Sequence, residues 1–152
     1  MGGMVGHLMG ATTVACIVLG NKTGLYKAMN GAGALAAAAV ADAAGTNARL
    51  TQEWLDQQAS VGIVSYDAGN ETYELGAEAG FALANENSPV WLAGGMDAFR
   101  AMFIDMDDVA TAMAGDGGLA WGDHHECLFA GTAEFFRPAY EHHLVQDWIP
   151  AL

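Results

Sequence analysis

The sequence predicts a mainly α-helical fold, a winged helix-turn-helix with a small β-hairpin wing and additional helices. Apolar residues recur at helical spacing through much of the chain, and alanine is dense at positions 35–44. One segment changes to the period of strands, since Ile63, Val64 and Tyr66 and then residues 72–75 flank a turn at 67–70. Helix, turn, helix, hairpin is the order of a winged helix.

The first half of the chain supplies the helices of this fold. Segment 5–20 is apolar on nearly every side, which predicts a helix buried by its own domain or by a second copy. We therefore expect a homodimer. Further helices are expected at 25–29, 35–44 and 46–60, with a cap from Thr46 or Asn47 and breaks at Gly45 and Gly62.

The second half is predicted to be a helical extension. Helices are expected at 77–85, from a capped start at Ser88 and Pro89 to about Phe103, and at 107–114. Residues 115–129 are glycine-rich and irregular, and a last helix opens near Pro138 and stops before Pro150. We expect a single domain over residues 1–152, with a winged-helix core at about 5–85 and the extension at 86–152.

Charge and composition narrow the possible partners. The chain has a formal net charge of -13, with 53% hydrophobic residues, which indicates a globular protein that repels phosphate backbones. The apolar run 8–19 is shorter than the roughly 20 residues of a membrane span, and no Lys or Arg precedes it as in a signal peptide. Cys16 and Cys127 form no CxxC motif. We expect a cytoplasmic protein with no nucleic-acid partner and no membrane association.

Nearly the whole chain resembles the N-terminal region of actinobacterial class I S-adenosylmethionine-dependent methyltransferases. The residues that carry the resemblance are Gly24, Leu25, Tyr26, the 35–45 helix, Glu53, Trp54, Leu55, the Tyr66 hairpin, Ser88, Pro89 and 118–123, then Phe135, Phe136, Arg137, Pro138, Tyr140, Leu144, Trp148, Pro150 and Leu152. The resemblance implies a winged-helix front domain that dimerises and covers a small-molecule substrate. A C-terminal Rossmann-like domain binds the cofactor in such enzymes.

The sequence departs from such enzymes at the cofactor site. A cofactor-binding half begins with an apolar strand and a glycine-rich turn of the GxGxG kind, because only glycine leaves room for the cofactor beside the backbone. Residues 131–152 resemble the hinge into such a half, and glycines 115, 117 and 118 follow a predicted helix instead of a strand. We expect this chain to bind no cofactor and to be inactive alone, with S-adenosylmethionine implied for the full-length enzyme.

Six side chains are candidates to face a substrate or cofactor. They combine aromatic planes, imidazoles and one guanidinium, which suit a planar or carboxylated substrate, and a histidine can assist deprotonation of an acceptor hydroxyl. Alternatively, the aromatic residues are core, the arginine pairs with a carboxylate and the loop only connects. The candidates are Trp121, His124, His125, Phe136, Arg137 and Tyr140. No catalytic residue is assigned.

Three other interpretations remain open or are disfavoured. The histidines at 124–125 and 142–143 and Cys127 lack the spacing of a metal site, so no metal is expected. Helix 46–60 could enter a DNA groove through its glutamines, but acidic residues surround its one arginine. The methionines at 96, 102, 106 and 113 could line an adaptable hydrophobic cavity, but a stripe of this kind is more often core or dimer interface, and core is favoured. A free-standing winged-helix module that binds a protein or ligand is the main alternative, and a DNA-binding regulator follows it.

Overall fold

The computed structural model describes residues 2–152, which form two compact units. Unit 1 ends at Ala93, and unit 2 comprises Gly94–Leu152. The elements of unit 1 are α1 (Gly2–Thr23), α2 (Leu25–Met29), α3 (Ala37–Ala44), α4 (Ala48–Ser60), β1 (Ser65–Asp67), β2 (Thr72–Glu74) and α5 (Ala77–Leu83). Those of unit 2 are α6 (Asp97–Ile104), α7 (Met106–Ala114) and α8 (Glu126–His143), with a 3₁₀ turn at Trp121–Asp123 and π and 3₁₀ turns at Leu144–Trp148 and Ile149–Ala151.

The turns of unit 1 follow from local sequence. Gly45 ends α3 at φ +67°, in the left-handed region that favours glycine. The Asn47 side chain accepts the Leu50 N–H at 3.1 Å and caps α4. Thr46 instead hydrogen-bonds to Thr51 through the two hydroxyls, at 2.7 Å. Of the two predicted caps, Asn47 is therefore the one that closes the helix terminus.

The wing is a two-stranded antiparallel hairpin with one added edge. The register pairs are Ser65 with Glu74, Tyr66 with Tyr73, and Asp67 with Thr72. Leu35 and Tyr73 exchange two backbone hydrogen bonds of 2.8 Å, so the segment before α3 extends the hairpin by one bridge. This pairing connects the wing to the helices, because Tyr73 is also buried in the core of unit 1.

The core of unit 1 is built around Trp54 of α4. Its ring packs edge-on against Tyr26, with centroids 5.0 Å apart, and its Nε1 donates to the Cys16 carbonyl oxygen at 2.9 Å. A Cβ at Gly20 would overlap the Trp54 ring, so a residue without a side chain is required there. The Tyr26 hydroxyl donates to Gln58 at 2.5 Å, and both residues are fully buried. Helices α1, α2 and α4 therefore meet at one polar and aromatic junction.

Only the C-terminal part of α1 is packed. Ile17 and Val18 are buried, whereas Met4 and Leu8 are 68% and 65% exposed. The 22-residue helix is long and apolar enough to cross a membrane by length and composition, since it begins well before the apolar run at residue 8. Core helices of soluble proteins and N-terminal signal sequences share these properties, and the helix alone does not indicate a span. The predicted burial all round is incomplete within one protomer.

Helix α6 begins later than the sequence predicts. The Ser88 hydroxyl accepts the Val90 N–H at 3.2 Å, which closes a local turn and does not cap a helix. Helix α6 starts only at Asp97. Gly95 precedes that start, and a Cβ there would lie 2.8 Å from the Phe135 ring. The predicted start at Ser88 and Pro89 is therefore wrong.

Helix α8 runs through the proline that the sequence places at a helix start. It begins at Glu126, inside the segment predicted to be irregular, and it contains Pro138 in its interior. A Cβ at Gly131 would overlap the Ala98 backbone, so α6 and α8 approach closely on the N-terminal side of Pro138. This packing, together with the buried Pro138 ring, accounts for a continuous helix despite one missing backbone N–H.

Candidate functional site

Unit 2 contains a buried carboxylate at the break between α6 and α7. Asp105 is only 5% exposed, and its backbone, at φ −84° and ψ 4°, interrupts the two helices. Its Oδ2 lies 2.8 Å from Nδ1 of His124. The His125 N–H donates to both carboxylate oxygens, at 3.1 and 3.2 Å. A buried carboxylate needs such partners, and here both come from the segment that precedes α8.

The two adjacent histidines, His124 and His125, form hydrogen bonds with different partners. His125 is the N-cap of α8, and its Nδ1 accepts the Cys127 N–H at 3.2 Å. His124 turns its Nδ1 to Asp105 and packs edge-on against Trp121, with ring centroids 6.0 Å apart. The Trp121 ring in turn packs edge-on against the Phe129 ring, with centroids 5.2 Å apart. The loop before α8 is therefore fixed by side chains, although its sequence is glycine-rich.

An apolar cavity of about 430 Å³ lies beside the Asp105–His124 pair. Its size falls in the ordinary range of small-molecule sites, roughly 300–1,000 Å³. Asp105 and His124 are the polar side chains in its wall. The lining residues are Ala101, Met102, Asp105, Met106, Val109, Trp121, His124 and Leu128. An apolar space with one buried acid and one histidine makes this cavity a candidate ligand site of unit 2.

The cavity contains some of the predicted site residues and not others. Trp121 and His124 line it, and His125 is joined to it through Asp105. Phe136 and Tyr140 are about half exposed on α8 and do not line this cavity. Arg137 is held by Glu134 at 2.9 Å and by Glu141 at 3.3 Å. The hydrogen bond with Glu134 raises the pKa of the Arg137 guanidinium. A substrate-facing role for Phe136, Arg137 and Tyr140 stays a prediction.

The helical wall of the cavity corresponds to the less favoured interpretation of the methionine stripe. A core was the favoured interpretation for Met102 and Met106 and a cavity wall the alternative; both side chains line the cavity and are 65% and 54% exposed. With Val109 they follow helical spacing, which indicates a shared face but not what covers it. Asp105 gave no distinguishing signal, because Asp107 and Asp108 follow it closely in the sequence. The partner of that carboxylate lies 19 residues away along the chain and could not be identified from spacing.

The winged-helix surface offers few groups for nucleic acid. Gln58 is fully buried, and Gln52 bonds to Asp56 and to Tyr73, so neither amide is free to reach a base. Arg49 lies 3.7 Å from Glu53 on the exposed face of α4. At the tip of the wing, hydrogen bonds from Asn70 and the Gly69 backbone lower the pKa of Asp67. The surface is acidic where a groove-binding helix would be basic.

The glycine-rich segment does not fit S-adenosylmethionine. Glycines 115, 117 and 118 follow the end of helix α7, and the two strands found among residues 2–152 belong to the wing. A cofactor loop needs a strand that leads into the glycines and a helix that follows them directly.

Within the described residues, no group of three or more His, Cys, Asp or Glu side chains is placed to hold a metal ion.

Residues 11–85 match the family described as the Rv2258c-like winged HTH domain. This match confirms the predicted winged helix-turn-helix. No curated protein matches the sequence significantly.

Solved structures of methyltransferases are similar to the chain over both units. A putative O-methyltransferase from Nostoc punctiforme PCC 73102 has a TM-score of 0.66 at 14% identity, over 89% of this chain and 41% of that one. CalO1, a methyltransferase in calicheamicin biosynthesis in its SAH-bound form, has a TM-score of 0.61 at 26% sequence identity. The similarity covers 91% of this chain and 42% of CalO1. The S-adenosylmethionine-dependent methyltransferase SibL in its apo form has a TM-score of 0.52 at 16% sequence identity. The similarity covers 97% of this chain and 48% of SibL.

The chain thus spans less than half the length of each of these enzymes. The first and third similarities show the fold alone. Together the matches confirm the resemblance to the N-terminal region of methyltransferases. The similarity extends beyond the winged helix-turn-helix, because it covers most of the chain whereas the family match ends at residue 85.

Proposed function

We propose that this chain is the N-terminal dimerisation and substrate-capping part of an S-adenosylmethionine-dependent methyltransferase, since residues 11–85 match the Rv2258c-like winged HTH family. The observation that carries the proposal is the similarity to CalO1, at 26% identity over 91% of the chain. That similarity includes unit 2, where the Asp105–His124 cavity lies. The chain then supplies the acceptor side of an active site, and the cofactor side belongs to another domain.

Cofactor binding alone tests whether the cofactor site lies outside this chain. CalO1 is known in an SAH-bound form, and SAH is the product that S-adenosylmethionine leaves after methyl transfer, so we expect a complete enzyme of this kind to bind the cofactor. The glycines of this chain lack the context for that role, and we expect residues 1–152 to retain no radiolabelled S-adenosylmethionine in equilibrium dialysis. CalO1 serves as the positive control. Stoichiometric binding by the 152-residue chain would contradict the proposed division.

The exposed half of α1 supports dimerisation. Met4, Val5, Leu8 and Met9 are all at least 50% exposed in the protomer, and contiguous apolar surface of this kind marks an interface. A homodimer covers these side chains without any other partner. Light scattering should give about twice the 15.8 kDa of one chain.

We further propose a cytoplasmic location and no nucleic-acid or membrane partner. The net charge of -13 and the paired Arg49 support the exclusion of nucleic acid. No mobility shift of duplex DNA is expected even at low salt, where weak electrostatic binding is strongest. A shift there would favour the regulator interpretation. Vesicle sedimentation tests α1, and pelleting of the protein with vesicles would contradict a membrane-free role.

A further inference from the structure

Asp105 determines which hydrogen bond His124 can offer to a ligand. A carboxylate only accepts hydrogen bonds, so the 2.8 Å contact requires that Nδ1 of His124 carries a proton. In the neutral imidazole the other nitrogen, Nε2, then has a lone pair and accepts. None of the described residues 2–152 forms a hydrogen bond with that nitrogen. The Asp105–His124 pair is thus a hydrogen-bond acceptor in the wall of an apolar cavity.

The geometry of the pair is fixed before any ligand arrives. Asp105 is buried, and the two bonds from the His125 N–H hold its carboxylate in place. The His124 side chain is only 23% exposed and packs edge-on against Trp121. A histidine held on two sides loses little rotamer freedom when a ligand binds, which favours affinity.

The cavity wall selects against anionic ligands. No Lys or Arg lines it, and its one buried charge is the Asp105 carboxylate. A carboxylate or phosphate ligand would meet no cation and would lie near a negative group. The remaining wall is aliphatic, thioether and indole, with Trp121 available for edge or face contact. A flat, uncharged aromatic ligand suits such a wall.

We propose that this cavity binds an uncharged aromatic hydroxyl compound whose hydroxyl donates to Nε2 of His124, with Asp105 as the residue that fixes the imidazole tautomer. The inference deepens the proposed function, since in a methyltransferase such a hydroxyl is a methyl acceptor held by its proton. Binding itself needs neither cofactor nor methyl transfer.

Three probes of one skeleton test the proposal on the 152-residue chain. β-Naphthol carries the hydroxyl donor, its methyl ether has an oxygen without a proton, and β-naphthoate carries a charge. By titration calorimetry, naphthol should bind about tenfold more tightly than the ether, the ratio expected for one hydrogen bond to a buried acceptor. Naphthoate should bind least. Equal affinities for naphthol and ether, or no binding of naphthol at millimolar concentration, overturn the proposal.

The Asp105→Asn variant tests the tautomer directly. An asparagine amide can donate to Nδ1 while its carbonyl still accepts the His125 N–H, so Nε2 becomes the protonated nitrogen. Naphthol should lose about tenfold in affinity, and the ether should gain or stay unchanged. Asp108→Asn, on the exposed surface of α7 and outside the cavity wall, is the matched control and should behave as wild type. An unchanged preference for naphthol in Asp105→Asn overturns the role of Asp105.

A second variant keeps the test valid if Asp105→Asn does not fold. Trp121 is 63% exposed, so Trp121→Ala should leave the fold intact and weaken naphthol and ether alike. Undiminished binding of both would place the ligand elsewhere and overturn the site. These measurements use no cofactor. The methyltransferase proposal is tested separately, by cofactor binding to a complete enzyme. Its failure is therefore distinguishable from failure of the cavity to bind naphthol.

Discussion

At the residue scale, glycine at the contacts and polar pairs in the core determine the packing. Gly131 has no side chain where α8 meets the Ala98 backbone, and Gly20 leaves room for the Trp54 ring. The Tyr26–Gln58 hydrogen bond satisfies two buried polar groups at once. Burial also raises the pKa of the Tyr26 hydroxyl, which keeps it a neutral donor.

Gly131→Ala should destabilise the protein. The added Cβ would overlap backbone atoms of Ala98, which cannot move as a flexible side chain can. Overpacking of this kind costs about 1–3 kcal/mol, more than the helix propensity that alanine gains. Urea unfolding measures the loss. Gly117→Ala is the control, because nothing lies within 4 Å of its Cβ position. Equal stability of the two variants would show that α6 and α8 are not in close contact.

Gln58→Leu should cost about 1–3 kcal/mol, because the buried Tyr26 hydroxyl is left without its acceptor. The double variant Tyr26→Phe, Gln58→Leu removes both polar groups and should recover a large part of that loss. Thermal unfolding of the wild type, the two single variants Gln58→Leu and Tyr26→Phe, and the double variant gives the coupling energy between the two residues. Additive effects of the two substitutions would contradict a direct hydrogen bond between the residues.

At the scale of elements, the sequence predicted what local chemistry decides and missed what tertiary packing decides. The Gly45 and Asn47 termini and the hairpin were predictable, because left-handed glycine, Asx caps and strand periodicity act within a few residues. Pro138 was misassigned, since its tolerance inside α8 depends on burial of its ring. The cavity pair Asp105–His124 was half predicted, because the histidine was a candidate and its distant partner was not.

Pro138→Ala should stabilise the protein slightly. An interior proline costs about 3 kcal/mol through its missing N–H and its clash with the preceding turn, and alanine restores both. Loss of buried ring carbons offsets about half of this, at roughly 0.8 kcal/mol per methylene. We expect a net gain of about 1 kcal/mol in the free energy of unfolding. Pro89→Ala, outside any helix, should instead lose a few tenths. A loss for Pro138→Ala exceeding that of Pro89→Ala would contradict this balance.

Leu8→Glu should convert the dimer to monomers without unfolding it. Leu8 is 65% exposed in the protomer, so the charge is costly only at an interface. Light scattering and circular dichroism report mass and fold together. Leu50→Glu, at 63% exposure on α4, is the matched control and should stay dimeric. A monomeric wild type, or a Leu8→Glu dimer, would contradict a role of α1 in association.

At the scale of the whole molecule, the chain has a winged helix-turn-helix, whose residues 11–85 match the Rv2258c-like winged HTH family, and a second helical unit with a ligand-sized cavity. Its similarity to methyltransferases covers most of its own length and less than half of theirs. Residues 2–152 contain a polar pair beside an apolar cavity, and their glycine-rich segment lacks the strand that precedes a cofactor loop. We propose on this basis that function is divided between this chain and a cofactor-binding domain.

The coding sequence that follows the Leu152 codon tests this division most directly. We predict that it encodes an apolar strand followed by a glycine-rich turn of the GxGxG kind and a helix, which is the start of a Rossmann-like domain. Sequencing of the gene's 3′ region gives the answer without any assay. A stop codon directly after Leu152 would contradict the proposal and favour a free-standing ligand-binding module.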